Sequence, residues 1–194
     1  MDKLDKIFDS FVGNNLFKNK TVLQSNYNPL SIGHRDEQIE AVASILAPAL
    51  RGERSSNLFI YGRTGTGKTL SAQYVTAQIA GRVRDSGSDN LKVVYVNCKL
   101  KKVADTEYRI LAELIKKLGS KVPPTGLPTD QVYLKFIEIL KNCEEKLLIL
   151  ILDEIDQAVK RISSDFLYNL TRLNSELDKI QIVIVGISND LKFL

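Results

Sequence analysis

The chain of 194 residues has no tryptophan, one histidine, one methionine and two cysteines. Thiol and imidazole groups are too sparse for a metal centre or a cross-linked scaffold. Cys98 and Cys143 form no close ligand pair, and the single histidine, His34, is distant from both in sequence, so neither a zinc site nor a disulfide framework is supported. Both cysteines read as reduced thiols packed in or near a core. Proline (5) and glycine (11) are too few for a collagen-like or low-complexity chain, and a composition of 44% hydrophobic and 26% charged residues excludes disorder as the main state. No uninterrupted apolar run exceeds six residues, Leu147 to Leu152. A membrane-spanning helix needs about 20. The opening residues, MDKLDKIFDSF, carry charge throughout and lack the apolar stretch and small-residue cleavage site of a secretory signal. The expected location is therefore cytoplasmic, with no membrane partner.

A chain of this length builds one domain of ordinary size or two very small ones, with one compact core as the simplest outcome. Its net charge of +4 permits a polyanionic partner without requiring one. The charge is uneven. Between Lys92 and Lys121 eight basic residues face three acidic ones, a local net of +5 on a remainder of −1. This run reads either as a solvated helix face or as a surface that meets a polyanion.

The apolar pattern alternates between strand-like and helix-like segments. Leu4, Ile7, Phe8, Phe11 and Val12 recur at helical spacing, and the aperiodic stretch 13–33 reads as an extended crossing. A helix is predicted from about Arg35 to Leu50, with Asp36 and Glu37 in the first turn where the helix dipole favours them. Short strands are predicted at Asn57–Tyr61, Lys92–Cys98, Leu147–Leu152 and Ile180–Val185. Helical patterns fall at Lys68 to about Arg82, around Ile110–Leu118, around Val132–Leu140 and around Phe166–Leu177. Apolar strands alternating with helices predict an α/β fold with a parallel sheet flanked by helices on both faces.

Between the first strand and its helix lies Gly62-Arg63-Thr64-Gly65-Thr66-Gly67-Lys68-Thr69, which fits G-x-x-x-x-G-K-[ST] in the strand-to-helix context the pattern requires. Glycines let backbone N–H groups wrap phosphate oxygens at a helix N-terminus. Gly62, Thr64, Gly65, Thr66, Gly67, Lys68, Thr69 and Leu70 are thus the candidate phosphate-binding residues. Lys68 would reach the outer phosphates and the Thr69 hydroxyl would hold Mg²⁺. The third strand runs into Asp153-Glu154-Ile155-Asp156. A carboxylate there lies at the end of the sheet where open α/β folds bind ligands. Asp153 would orient the metal, Glu154 would polarise an attacking water, and Asp156 would cap the next helix. After the fourth strand, Asn189 is placed to hydrogen-bond the γ-phosphate or the water; a plain turn is the alternative.

Tyr27-x-Pro29, Gly33-His34-Arg35-Asp36-Glu37-Gln38, YGRTGTGKT, ILDEID, the TGL within PPTGLP, and GISNDLKFL together resemble the AAA+ ATPases, and within them the archaeal replication initiators of the origin recognition complex and cell-division-cycle family. The resemblance covers nearly the whole chain. It implies a P-loop NTPase fold with Walker A at Gly62–Thr69, Walker B at Leu148–Glu154 and a sensor-1 Asn189. It also implies ATP or ADP with Mg²⁺ as cofactors, and catalytic roles for Lys68, Glu154 and Asn189. By the same resemblance Leu30, Ile32, His34 and Arg35 line an adenine pocket, residues 1–34 form an N-terminal helix and adenine-side segment, and residues 35–194 form the ATPase core. A helical insertion at about 101–129 would touch double-stranded origin DNA through Lys101, Lys102, Lys121, Thr125 and Gly126, with a helix connector as the other reading. Further implied partners are the replicative helicase or other initiator subunits, and a nucleoid-associated location.

Family members continue into an arginine-finger region, a lid and a winged-helix domain, whereas this sequence stops at Leu194. It is expected to be a fragment or a truncated paralogue with slow or no hydrolysis. Two functions remain: an ATPase core, or a non-hydrolysing module in which bound nucleotide holds a DNA- or protein-binding fold.

Overall fold

The computed structural model describes residues 4, 32–99, 106–123, 126–162 and 164–191. The chain divides into two units, Met1–Gly33 and His34–Leu194. The N-terminal helix and extended segment expected from the sequence fall almost wholly outside the described residues. All the elements described below belong to the second unit.

Helix α1 (Asp36–Leu46) buries Val42 and Leu46, with Asp36 and Glu37 in its first turn. The predicted helix does not run unbroken to Leu50. A 3-10 turn takes over at Ala47–Arg51, because Pro48 lacks the N–H an α-helix would use there, and Gly52 ends it in a left-handed conformation (φ 69°). Strand β1 (Leu58–Tyr61) leads into α2 (Lys68–Asp85). Then come β2 (Leu91–Asn97), α3 (Glu107–Lys117), α4 (Thr129–Lys141) and β3 (Leu147–Asp153). The short α5 (Ile155–Arg161) follows β3 directly, and α6 (Ser164–Arg172) precedes β4 (Gln181–Ser188).

The four strands form one parallel sheet in the order β1-β4-β3-β2. All seven residues of β3 are buried. Alternate residues serve opposite layers. Leu148, Leu150 and Leu152 pack with the buried faces of α3, α4 and α6 in one cluster; Leu147, Ile149 and Ile151 pack with those of α1 and α2 in the other. The expected parallel sheet, covered on both faces, is borne out.

Strand β1 is only four residues long and pairs with β4 from Leu58↔Val185 to Tyr61↔Ser188. The start of β4 is satisfied on that side by side-chain amides instead. Asn57 Oδ1 accepts the Ile184 N–H at 3.0 Å, and Asn174 both accepts from the Ile182 N–H (2.6 Å) and donates to the Ile182 carbonyl (2.9 Å). The register sets Tyr61 opposite Ser188, Asp153 opposite Ile187, and Asn97 opposite Asp153. Four strand ends thereby deliver their following residues to one edge of the sheet.

Candidate nucleotide site

At that edge β1 opens into the glycine loop. Gly65 and Gly67 have φ of 81° and 78°, the left-handed region where a β-carbon is strained. Gly67 serves as the N-cap of α2, and the Ser71 N–H donates to its carbonyl at 2.8 Å, the first turn of the helix. The N–H groups ahead of that turn have no helical acceptor, which makes this terminus a cradle for anionic oxygens. The Lys68 ammonium lies along the loop, donating to the carbonyls of Gly62 (2.8 Å) and Arg63 (2.9 Å). Thr66 Oγ1 donates to the Arg63 carbonyl at 2.8 Å.

Asp153 is buried, and both of its carboxylate oxygens accept hydrogen bonds. Its Oδ2 accepts the Thr69 hydroxyl at 2.9 Å and the Tyr95 hydroxyl at 2.8 Å; its Oδ1 accepts the Glu154 N–H at 2.9 Å. A carboxylate offers about four acceptor positions, so one remains for a metal-bound water. Hydroxyl and carboxylate oxygens meeting beside a phosphate-type loop are the hard donor set that Mg²⁺ prefers. The site's residues therefore fit both the nucleotide phosphates and the cation. Burial first, and the Asp153 hydrogen bond second, raise the Tyr95 pKa well above the usual phenol range.

Glu154 leaves the strand in a left-handed conformation (φ 51°, ψ 43°) as the N-cap of α5. For a non-glycine residue this is a costly backbone state of the kind that collects at working sites. Its carboxylate is 3.2 Å from the Lys99 ammonium, two residues past β2. Asn189 follows β4 and is half-buried. Lys68, Thr69, Asp153, Glu154 and Asn189 thus gather at one edge, while Leu70 is half-buried and Thr64 exposed.

The remaining sequence candidates scatter. A β-carbon on Gly67 would lie 3.6 Å from Arg35 Nε, so that side chain stands beside the loop; His34 is exposed, with φ 59°. Leu30 lies outside the described residues and Ile32 belongs to the first unit. Lys101, Lys102 and Thr125 also lie outside the described residues; Lys121 and Gly126 are exposed between α3 and α4. That connection is held by the Tyr108 hydroxyl, which donates to the Pro123 carbonyl. Within the basic run, Lys92 pairs with Glu145 at the opposite end of β2 from Lys99, about 20 Å away at the rise of a strand.

The AAA domain family matches residues 51–194. The chain belongs to that family. The chain is 43% identical over 196 residues to the ORC1-type DNA replication protein of Pyrococcus furiosus, covering 98% of this chain and 46% of that protein. It is 47% identical over 191 residues to ORC1-type DNA replication protein 1 of Methanosarcina mazei, covering 98% and 45%. The solved structure of the Aeropyrum pernix ORC1 protein in complex with DNA matches with a TM-score of 0.82 at 37% identity, over 91% of this chain and 45% of that one. The Aeropyrum pernix ORC2 protein in its ADPNP–ADP complexes matches with a TM-score of 0.76 at 27% identity, over 92% and 47%. The resemblance to archaeal replication initiators, and the AAA+ P-loop fold it implies, are borne out. The chain spans about half the length of the curated relatives it matches.

Sequence reasoning missed three partners of the AAA domain's site: Tyr95 on Asp153, Lys99 on Glu154, and Ser188, which binds Asp156. Tyr95 sits inside a strand pattern and reads as packing, whereas Ser188 lies past the predicted end of the fourth strand and reads as part of a turn. Only the pairing of Tyr95 with Ile151, two residues before Asp153, brings its hydroxyl into reach.

Proposed function

We propose that the chain is the ATP-binding and ATP-hydrolysing core of a DNA replication initiator. The observation that carries this reading is the 2.9 Å bond between the Thr69 hydroxyl and Asp153 Oδ2, which joins the glycine-loop helix to the end of β3 across 84 residues of sequence. The loop N–H groups and Lys68 would bind the phosphates. Thr69 and Asp153 would hold Mg²⁺, which when bound neutralises charge on the outer phosphates. Glu154 would take up the water's proton as it attacks. Its pairing with the exposed Lys99 is worth about 0–1 kcal/mol, so releasing the carboxylate costs little. Asn189 would donate its amide to the γ-phosphate or the water. Leu30, Ile32, His34 and Arg35 would flank the base, with residues 1–34 on the adenine side and 35–194 as the core. Lys101, Lys102, Lys121, Thr125 and Gly126, in the helical insertion, would meet duplex origin DNA. The replicative helicase or other initiator subunits would be the protein partners. The similarity to a protein solved in complex with DNA supports the DNA part of this reading.

The Lys99–Glu154 pair is also what a non-hydrolysing module would show, with its glutamate neutralised. Nucleotide affinity and single-turnover ATP hydrolysis, with and without duplex DNA, decide between the two. Lys68→Ala is expected to lose at least about tenfold in affinity, a single charge-assisted contact. Glu154→Gln is expected to keep its affinity and slow hydrolysis by about 10²-fold or more. Unchanged affinity in Lys68→Ala would reject the loop assignment. ATP bound but not turned over by the unaltered chain would leave the module reading standing.

A further inference from the structure

Behind the nucleotide edge lies a buried polar chain that takes no part in the proposed chemistry. Asp156, the second residue of α5, is 3% exposed, and Ser188, the last of β4, is fully buried. The Ser188 hydroxyl donates to Asp156 Oδ1 at 3.0 Å, a shorter contact than the 3.4 Å to the Asp190 carbonyl. The Ser188 oxygen in turn accepts the Asp190 N–H at 3.0 Å. Asp156 Oδ2 accepts from Gln157 Nε2 at 2.8 Å. A buried carboxylate is retained only where donors of this kind satisfy it.

The chain of bonds links two parts of the site. Asp156 lies two residues after Glu154, within the first turn of α5, where the Gln157 N–H donates to the Glu154 carbonyl at 3.0 Å. Ser188 and Asp190 bracket Asn189. One relay therefore runs from the turn that carries Glu154 to both neighbours of Asn189. An outer clasp, Lys160 Nζ to Asp190 Oδ2 at 2.6 Å, closes the same two elements at the surface.

We propose that Asp156 and Ser188 are positioning residues that set Asn189 against Glu154, so that the relay governs how the site tells a nucleoside triphosphate from a diphosphate. The inference rests on the proposed nucleotide function and assigns its regulation. A merely structural pair would lower stability without altering the preference between the two nucleotides.

The test compares ATP and ADP affinities, by calorimetry with Mg²⁺, for the full chain and for Ser188→Ala, Asn189→Ala and the double variant. Ser188→Ala is expected to lower the ATP-over-ADP ratio by about tenfold, the size of one hydrogen bond to a charged group, with ADP affinity unchanged. Since Ser188 acts through Asn189, the double variant should be no worse than Asn189→Ala alone. Asp156→Ala should repeat the loss, and Asp156→Asn, which keeps an oxygen acceptor for Ser188 while the Gln157 amide turns over, should return the ratio to within about twofold of the unaltered chain. Additive losses in the double variant, or equal weakening of ATP and ADP in Ser188→Ala, overturn the relay while the nucleotide function survives. An Asn189→Ala that leaves the ratio unchanged likewise overturns the relay alone, whereas an unaltered chain that binds neither nucleotide overturns both.

Discussion

The carboxylate of Asp153 shows how a site is set at the scale of one residue. Three donors from three places in the chain fix its two oxygens. Orientation of this kind matters for metals, because the groups that hold a ligand typically change affinity or activity by about 10–100-fold. Tyr95→Phe removes one of the two hydroxyls on Oδ2. The variant should unfold in urea with a loss of about 0.5–1.5 kcal/mol and need several-fold more Mg²⁺ for half-maximal ATP binding. An unchanged Mg²⁺ midpoint would make Tyr95 a packing residue. Lys68, Thr69 and Asp153 are legible in the sequence because glycines at fixed offsets and an acid after an apolar run have few other uses. Tyr95 is not, since every second position of a buried strand looks alike until its neighbour in the sheet is known. The left-handed backbone of Glu154 is equally hidden, because nothing in a glutamate announces positive φ.

At the scale of elements, β3 is the axis on which both apolar layers turn. Its residues are interior on both faces, so truncation leaves a hole that neither layer can readily close. Leu150→Ala, at a position 1% exposed, should cost about 2–5 kcal/mol, read as a fall in the urea midpoint with the slope unchanged. A cost under about 0.5 kcal/mol would mean that the layer collapses freely around the site. Apolar runs make the strands easy to find and parallel pairing easy to expect. Their ends are harder. Strand β4 reaches Ser188, three residues past the predicted end, because Gly186 and Ser188 break the apolar run but keep their backbone bonds to β1. The helix α5 has seven residues and too little periodicity to be read. Pro48 is visible in the sequence, but the helical spacing of apolar residues runs through it to Leu50 and hides the change to a 3-10 turn.

At the scale of the His34–Leu194 unit, the cysteines report on the fold. Cys98 is fully buried at the end of β2, and its N–H donates to the Asp153 carbonyl at 2.8 Å. Burial, then the nearby Asp153, Asp156 and Glu154 carboxylates, push its thiol up to about 12. The fold thus favours the neutral thiol. That contribution is intact below the ordinary thiol value near 9 and is lost as pH rises from there toward 12, since the unfolded chain ionises first. The melting temperature should fall above about pH 9. Iodoacetamide at pH 8 should label half-buried Cys143 first and Cys98 only at the rate of unfolding; equal rates would show that this end of β2 opens locally. The topology has a consequence during synthesis as well. The Ile184 N–H bonds to Asn57 across 127 positions of chain, and among the described residues β1 finds its strand neighbour only in β4. A ribosome adding about 5–20 residues per second leaves LFIY without that neighbour for about 6–25 s, while β2 and β3 can already pair. The strand that carries the glycine loop is made first and docked last, so a nascent chain at that stage has half a sheet, no assembled nucleotide site, and an apolar edge that a chaperone would have to shield.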